Sequence, residues 1–288
     1  MKGKYIDLHV HTNYSDGFDT IEEVLAKAKA NGVGIISLTE HYNLSSYKTA
    51  CELAGDDIEI IPGIEIGADM SAYTAGGKHV CHILGYFISK EIYKLLDIYE
   101  LDRYECVVKT IKFLNSHGVD IDITDVIKNA RDKKSIGRSD IALTLRKLKY
   151  TKTASEAYGK YLDHCYVQRK KLTPIQLVKK IREYDGVAVI AHPKSLRFNP
   201  EMEEEFIKEL VEAGLGGIEV YNPNNGEQKR EQLLEYCKKY NLVATVGSDY
   251  HGGNRKPVIE IGKGINNNLE ISDYNIIEEL KKKIPWGL

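Results

Sequence analysis

The chain changes its hydrophobic rhythm several times, and each change marks an element. Near the start, YIDLHV is a short, mostly apolar run of strand type. The stretch after it, TIEEVLAKAKA, sets Ile21, Val24, Leu25 and Ala28 on one face at helical spacing, with Asp19 as its cap, Glu22 in the capping-box position and Gly32 beyond its end. Then come GIISL, a buried-strand pattern that stops at Thr39-Glu40-His41, and two segments rich in β-branched residues, IEIIPGIEI and HVCHILGYF.

The last third repeats this rhythm. Thr173-Pro174 is a cap and first-turn pair for the helix PIQLVKKIREY, which Gly186 ends. VAVIA is a strand ending at His192-Pro193, MEEEFIKELVEAG a helix, GIEVYN a strand, EQKREQLLEYCKKY a helix, and LVATV a strand ending at Gly247-Ser248-Asp249-Tyr250-His251. Repeated strand-then-helix units predict a parallel sheet, and this many predict a barrel. Between them, residues 91–172 have helical periodicity and few strand signals. The pattern therefore predicts an α/β barrel domain formed by 1–90 and 173–288, carrying a mainly helical insertion over 91–172.

Composition narrows the class. A net charge of -2, a pI near 6.5 and 42% apolar residues describe an ordinary globular chain, without the strongly basic surface of a general nucleic-acid binder. No apolar run reaches bilayer length, and the start MKGKYIDLH has no apolar leader segment, so the expected compartment is the cytoplasm. Five cysteines with no CxxC pair fit reduced thiols better than a disulfide framework.

The chemistry lies at the strand ends. In a strand, residues two apart share a side, so His9 and His11 can converge on one object. His41 follows the second strand, Glu65 falls in the third and His82 in the fourth; His192 ends a later one, and Asp249 with His251 ends another. A single such residue is more often a hydrogen-bonded core or rim group than a ligand. Six of the nine histidines at strand ends point to a cluster on one barrel face. A mixed imidazole and carboxylate set suits Zn, Mn or Fe, and bridging carboxylates suit a multinuclear hydrolytic centre acting on a phosphate ester.

DLHVHTNYSDG, TEH, PGIE, HILGY, AHP and GSDYH resemble, in order and spacing, the signature of the PHP (polymerase and histidinol phosphatase) family of metal-dependent phosphoesterases. The resemblance implies a distorted seven-stranded β/α barrel with up to three metal ions. Carried over motif by motif, His9, His11, Glu65 and Asp249 hold the first ion. Glu65 bridges to a second, completed by His82 and His192, while Asp16, His41 and His251 hold the third. Asp16 comes from the match alone, since SDG by itself reads as a turn. His82 is preferred to His79 because the family places the ligand directly before the I-L-G segment.

The insertion after HILGY resembles the subgroup of stand-alone PHP enzymes acting on nucleoside 3',5'-bisphosphates and the 5' ends of short oligoribonucleotides. The mechanism expected is attack by a metal-bridging hydroxide, with Arg138 as a catalytic group that helps the metals neutralise charge on the phosphoryl oxygens and Asp249 and His251 as candidates to assist proton transfer. Arg138 and Ser139, in IGRSD, match a Gly-Arg-Thr/Ser segment and form a candidate phosphate receptor at a helix start. Lys194 and Arg197 stand where the subgroup has a Gly-Arg pair after AHP, as candidates for a second phosphate. Glu40 replaces the family's usual Asp between Thr39 and His41. The basic run Arg169, Lys170, Lys171 reads as a solvated face, and Tyr166 and Tyr221 as candidates for base stacking. The implied partner is a small phosphorylated substrate, a nucleotide or short RNA, with no membrane and no stable protein partner. The competing expectations are a histidinol-phosphate phosphatase and a non-catalytic binding module.

Overall fold

The computed structural model describes residues 3–73, 80–130, 136–165, 167, 171–253 and 258–285. These fall into two compact units, Met1–Ile92 with Leu172–Leu288, and Tyr93–Lys171. The first unit opens with β1 (Tyr5–Val10), α1 (Ile21–Ala30), β2 (Val33–Leu38), α2 (Ser45–Ala54), β3 (Glu59–Ile60), β4 (Gly63–Asp69) and β5 (Val80–Tyr86). The second unit is helical: α3 (Tyr93–Ser116), α4 (Ile123–Asn129), α5 (Arg138–Lys147) and α6 (Ala154–Lys160), around Val107, Ile111, Leu114, Ile141 and Leu145. The first unit resumes with α7 (Pro174–Glu183), β6 (Val187–Ile190), α8 (Pro200–Ala213), β7 (Gly217–Tyr221), α9 (Glu227–Lys239), β8 (Val243–Val246) and α10 (Asn275–Lys281).

The strands form two sheets, β1-β2-β3 and β4-β5-β6-β7-β8. Hydrogen bonds continue across both gaps between them. At one, His41 pairs with Glu65 in a parallel bridge, Tyr42 N–H donates to Glu65 O at 3.1 Å and Glu65 N–H to Glu40 O at 3.1 Å. At the other, Val10 pairs with Tyr250, and Asp249 N–H donates to His9 O at 2.8 Å. Since β3 and β4 are one path broken at Pro62, the wall is the expected ring of seven strands.

One expectation needs correction: the sheet is not wholly parallel. β5 runs antiparallel to both neighbours, β4 and β6. Only residues 70–79 separate β4 from β5, too few for the crossover that a parallel pair requires. The reversal matters for the site. His82 is the third residue of β5, yet it faces Gly67 near the end of β4, so the start of this strand shares a face with the ends of the others.

The core lies inside the ring and beneath its helices. Ile6, Leu8, Leu84, Val189 and Val246 pack inside with Tyr86, whose hydroxyl donates to Leu8 O at 2.8 Å. α1 and α2 cover β1 and β2 through Val24, Ala28 and Ala50 against Val10 and Ile36. The cap of α1 also departs from expectation. Thr20, not Asp19, is the N-cap, and its partner in the capping box is Glu23 rather than Glu22; Asp19 instead takes Lys27 at 2.6 Å and the Tyr250 hydroxyl. Thr173 caps α7 as expected, with Gln176 closing the box. All five cysteines are free, and no described helix is long and apolar enough to cross a membrane.

Replacing Thr20 by Ala is expected to lower the unfolding free energy by about 1 kcal/mol through loss of the cap. Urea denaturation measures it, and an unchanged midpoint speaks against Thr20 as the cap.

Candidate metal centre

β1 delivers two imidazoles to the barrel face. His9 and His11 are fully buried, and their Nε2 atoms stand 3.1 Å apart. Asp249, just beyond β8, places Oδ1 3.4 Å from each of these nitrogens. Glu65, at the centre of β4 and 1% exposed, brings Oε2 to 3.4 Å from His9 Nε2, 3.2 Å from His11 Nε2 and 3.2 Å from His41 Nδ1. Its other oxygen, Oε1, is 3.0 Å from His82 Nδ1 and 3.0 Å from His192 Nε2, which are themselves 3.3 Å apart. The two oxygens of one carboxylate thus face two different sets of nitrogens.

A further set surrounds Asp16. Its Oδ1 lies 3.1 Å from His251 Nε2 and 3.8 Å from His41 Nε2 and from His11 Nδ1. Among the described residues, ligand atoms of His11, Asp16, His41 and His251 lie within 4.8 Å of one another, as do those of His9, Glu65 and His192, and those of His9, His11 and Asp249. With His82 beside Glu65, all nine residues named as ligands from the family match are neighbours, and His9 and His11 each belong to two of these groups.

The donor set fits divalent cations. Ligands held at about 2.0–2.2 Å around one tetrahedral ion stand roughly 3.3–3.6 Å apart, close to these separations. Four of the imidazoles have a partner at Nδ1. His9 Nδ1 is 2.8 Å from Glu219 Oε1, His192 Nδ1 is 3.0 Å from Ser195 Oγ, and His251 Nδ1 donates to Asp249 O at 2.9 Å. His11 Nδ1 has a longer contact, 3.4 Å, with Ser15 Oγ. Such outer partners turn the remaining nitrogen inward.

The electrostatics point the same way. Burial acts to lower the pKa of His9, but the charges of Glu219, Glu65 and Asp249 outweigh it and hold it well above the ordinary value. Burial is outweighed at His11 too, where hydrogen bonds accepted by Asp249 and Glu65 raise the pKa to about 10. Burial also acts to raise Glu65, yet His82, His41 and His9 hold it well below the usual carboxylate range. Burial depresses His41 to about 3, keeping a neutral imidazole with a lone pair to offer. The carboxylates concentrate a negative potential that draws positive charge into the cluster.

Local backbone conformation is part of the design. His192 has φ 28° and Asp249 φ 57°, left-handed values uncommon outside glycine that gather at functional sites. The loop to Asp16 is tied down by the fully buried Glu40, which accepts Thr12 N–H at 3.1 Å and the hydroxyls of Thr12 and Ser15. Glu40 thus supports the loop that bears Asp16.

Two buried acids lie outside the expected set. Glu219, inside β7, takes the ring of His9 with Oε1, and Oε2 accepts the backbone N–H of His192 at 2.6 Å and Asn222 Nδ2 at 3.1 Å. Asp7 accepts Ser248 N–H and Gly262 N–H, each at 2.8 Å, and burial pushes its pKa up to about 6. An acid within an apolar strand was the available signal for both.

The candidate substrate contacts are placed as follows. Arg138 and Ser139 open α5 in the second unit; the Arg138 guanidinium donates to Leu162 O at 2.7 Å and Asp163 at 3.2 Å, and lies 5.5 Å from the Tyr158 ring centroid. Its donors are partly engaged, so a phosphate there would compete with Asp163. Lys194 and Arg197 follow His192 and are exposed, with Lys194 Nζ donating to Asn224 O at 2.8 Å. His79, Tyr166, Arg169 and Lys170 lie outside the described residues.

The family model for the PHP domain matches residues 7–218. A phosphoribosyl 1,2-cyclic phosphate 1,2-diphosphodiesterase from Eggerthella lenta is 28% identical over 269 residues, covering 85% of this chain and 94% of the relative. A 5'-3' exoribonuclease from Haemophilus influenzae is 26% identical, covering 87% and 91%, and a 3',5'-nucleoside bisphosphate phosphatase from Chromobacterium violaceum is 26% identical, covering 85% and 87%. A solved structure from Bifidobacterium adolescentis shares the fold, with TM-score 0.76 at 22% identity over 98% of this chain and 96% of that one.

Replacing Glu40 by Ala strands the Thr12 N–H and two hydroxyls, at about 1–3 kcal/mol for a buried unsatisfied group. The expected loss of unfolding free energy is at least about 2 kcal/mol in chemical denaturation with a chelator present, which removes any ion contribution. A smaller loss means that the loop does not depend on Glu40.

Proposed function

The chain belongs to the PHP domain family of metal-dependent phosphoesterases, and from that premise we propose that it hydrolyses a phosphate ester on a ribose that already carries a second phosphate. The foremost candidate is a nucleoside 3',5'-bisphosphate, losing its 3'-phosphate. The observation that carries the hydrolytic part is the Glu65 carboxylate, with one oxygen toward His9, His11 and His41 and the other toward His82 and His192.

We assign His9, His11, Glu65 and Asp249 to one ion, Glu65, His82 and His192 to a second, and Asp16, His41 and His251 to a third. Divalent ions supply an activated water near neutral pH and neutralise the charge of a phosphoryl group. Zn, Mn and Fe all suit this donor set. The protein's part is to hold inward lone pairs on the imidazoles, to keep Glu65 ionised despite burial and to move a proton. Asp249, a quarter exposed beside His9 and His11, and His251 are the groups assigned to carry that proton toward the leaving alkoxide. Arg138, with Ser139, is assigned to one phosphate and Lys194 or Arg197 to another, because guanidinium and ammonium groups pair readily with phosphate oxygens.

The substrate class is supported by what the relatives' names have in common. A phosphoribosyl cyclic phosphate, a nucleoside bisphosphate and an RNA each contain a phosphorylated ribose. The second reading, a phosphodiester within a ribose cyclic phosphate, is favoured by the Eggerthella lenta relative. Histidinol phosphate contains no ribose, which sets it apart from both.

Assay of the Mn-loaded protein against adenosine 3',5'-bisphosphate, phosphoribosyl 1,2-cyclic phosphate, short 5'-phosphorylated RNA, mononucleotides and histidinol phosphate tests the assignment. Turnover is expected to be greatest on a doubly phosphorylated ribose, and preference for histidinol phosphate overturns it. Glu65→Ala is expected to lose ions from both sides of the carboxylate, with turnover falling more than the ~100-fold that losing a ligand's partner costs. Full metal content in Glu65→Ala, measured by elemental analysis, contradicts the bridging role.

A further inference from the structure

Glu219 touches residues of two different ligand sets. It is fully buried, with Oε1 2.8 Å from His9 Nδ1 and Oε2 2.6 Å from the backbone nitrogen of His192. His9 turns its Nε2 toward His11 and Asp249, whereas His192 turns its Nε2 toward Glu65 Oε1 and His82. We propose that Glu219 is a positioning residue for both: it sets the tautomer of His9 and anchors the backbone that aims His192, so that one carboxylate prepares two ion sites. This rests on the ligand assignment above.

The chemistry is directional. A carboxylate oxygen can only accept, so Oε1 demands a proton on His9 Nδ1 and leaves the Nε2 lone pair facing inward. Oε2 accepts two donors, His192 N–H and Asn222 Nδ2. The first of these holds a residue whose φ is 28°, a conformation that persists only where the surroundings over-determine it. β8 is shaped to the same pair. A Cβ at Gly247 would stand 2.2 Å from Glu219 Oε1 and 2.3 Å from His9 Cβ, so only glycine permits the approach.

A merely space-filling acid would tolerate the amide of the same size, and Glu219→Gln tests that difference. If the amide oxygen turns to His192 N–H and Asn222, its NH2 confronts His9 Nδ1 and forces the ring proton onto Nε2, where it blocks an ion. If it turns the other way, the NH2 meets two donors. Calorimetric titration of metal-free protein with Mn2+ or Zn2+ is expected to show about 10- to 100-fold weaker binding in Glu219→Gln. Thermal melting without metal first establishes that the variant is folded.

Asn222→Ala, which leaves the contacts to His9 and His192 intact, is expected to weaken binding only a few-fold. Equal ion affinity in wild type and Glu219→Gln overturns the proposal. Failure of the wild type to bind any ion overturns the ligand assignment and the proposal together. Should Glu219→Gln not fold, nitrogen NMR of zinc-loaded wild type decides: a proton on His9 Nδ1 supports the proposal, and one on Nε2 overturns it.

Discussion

A buried carboxylate with imidazole nitrogens crowded against both oxygens is costly unless positive charge is shared among them. Glu65 is that carboxylate, and the barrel is organised around it. β1, β4 and β5 contribute His9, Glu65 and His82 from within their spans, while His11, His41, His192, Asp249 and His251 stand just beyond strand ends. The apolar ring of Ile6, Leu8, Leu84 and Val246 keeps these strands in register, so packing and chemistry depend on the same residues' neighbours. Without ions, protons can share the charge in part, the direction in which the surrounding carboxylates shift His9 and His11. Divalent ions meet the same demand and also fit the spacing of the donors.

The clustered imidazoles and carboxylates are held by residues outside the cluster. Glu219 holds His9 and the His192 backbone, Ser195 takes the outer nitrogen of His192, and Glu40 secures the loop to Asp16. Glu40 is also the position at which the sequence departs from the motif it otherwise resembles, and its carboxylate reaches both Thr12 and Ser15. The nine clustered residues all lie within the first unit, whereas Arg138 and Ser139 belong to the second.

Much of this was legible in the sequence, for identifiable reasons. The two-residue spacing of His9 and His11, and the recurrence of imidazoles at strand ends, follow from periodicity alone. Asp16 was reached only through the motif, because a carboxylate in a turn has no periodic signature. Strand direction was not legible: alternation of side chains is the same whichever way a strand runs, and only the short 70–79 link shows that β5 must reverse. Asp19 and Thr20 are both competent caps one position apart, and the outcome follows from Asp19's partners, Lys27 in the same helix and the distant Tyr250. Glu219 escaped notice because its partners lie 210 and 27 positions away in the chain. Arg138 was correctly placed at a helix start, but its engagement with Leu162 and Asp163 depends on how the insertion folds back on itself.

The central claim is that Glu65 stands between ions on both of its oxygens. Anomalous diffraction at the manganese edge, from crystals grown with Mn2+, tests it most directly. The account predicts one peak among His9, His11 and Asp249 and another between His82 and His192, each within about 2.0–2.3 Å of a Glu65 oxygen. Density on only one side of that carboxylate, or at neither, would contradict it.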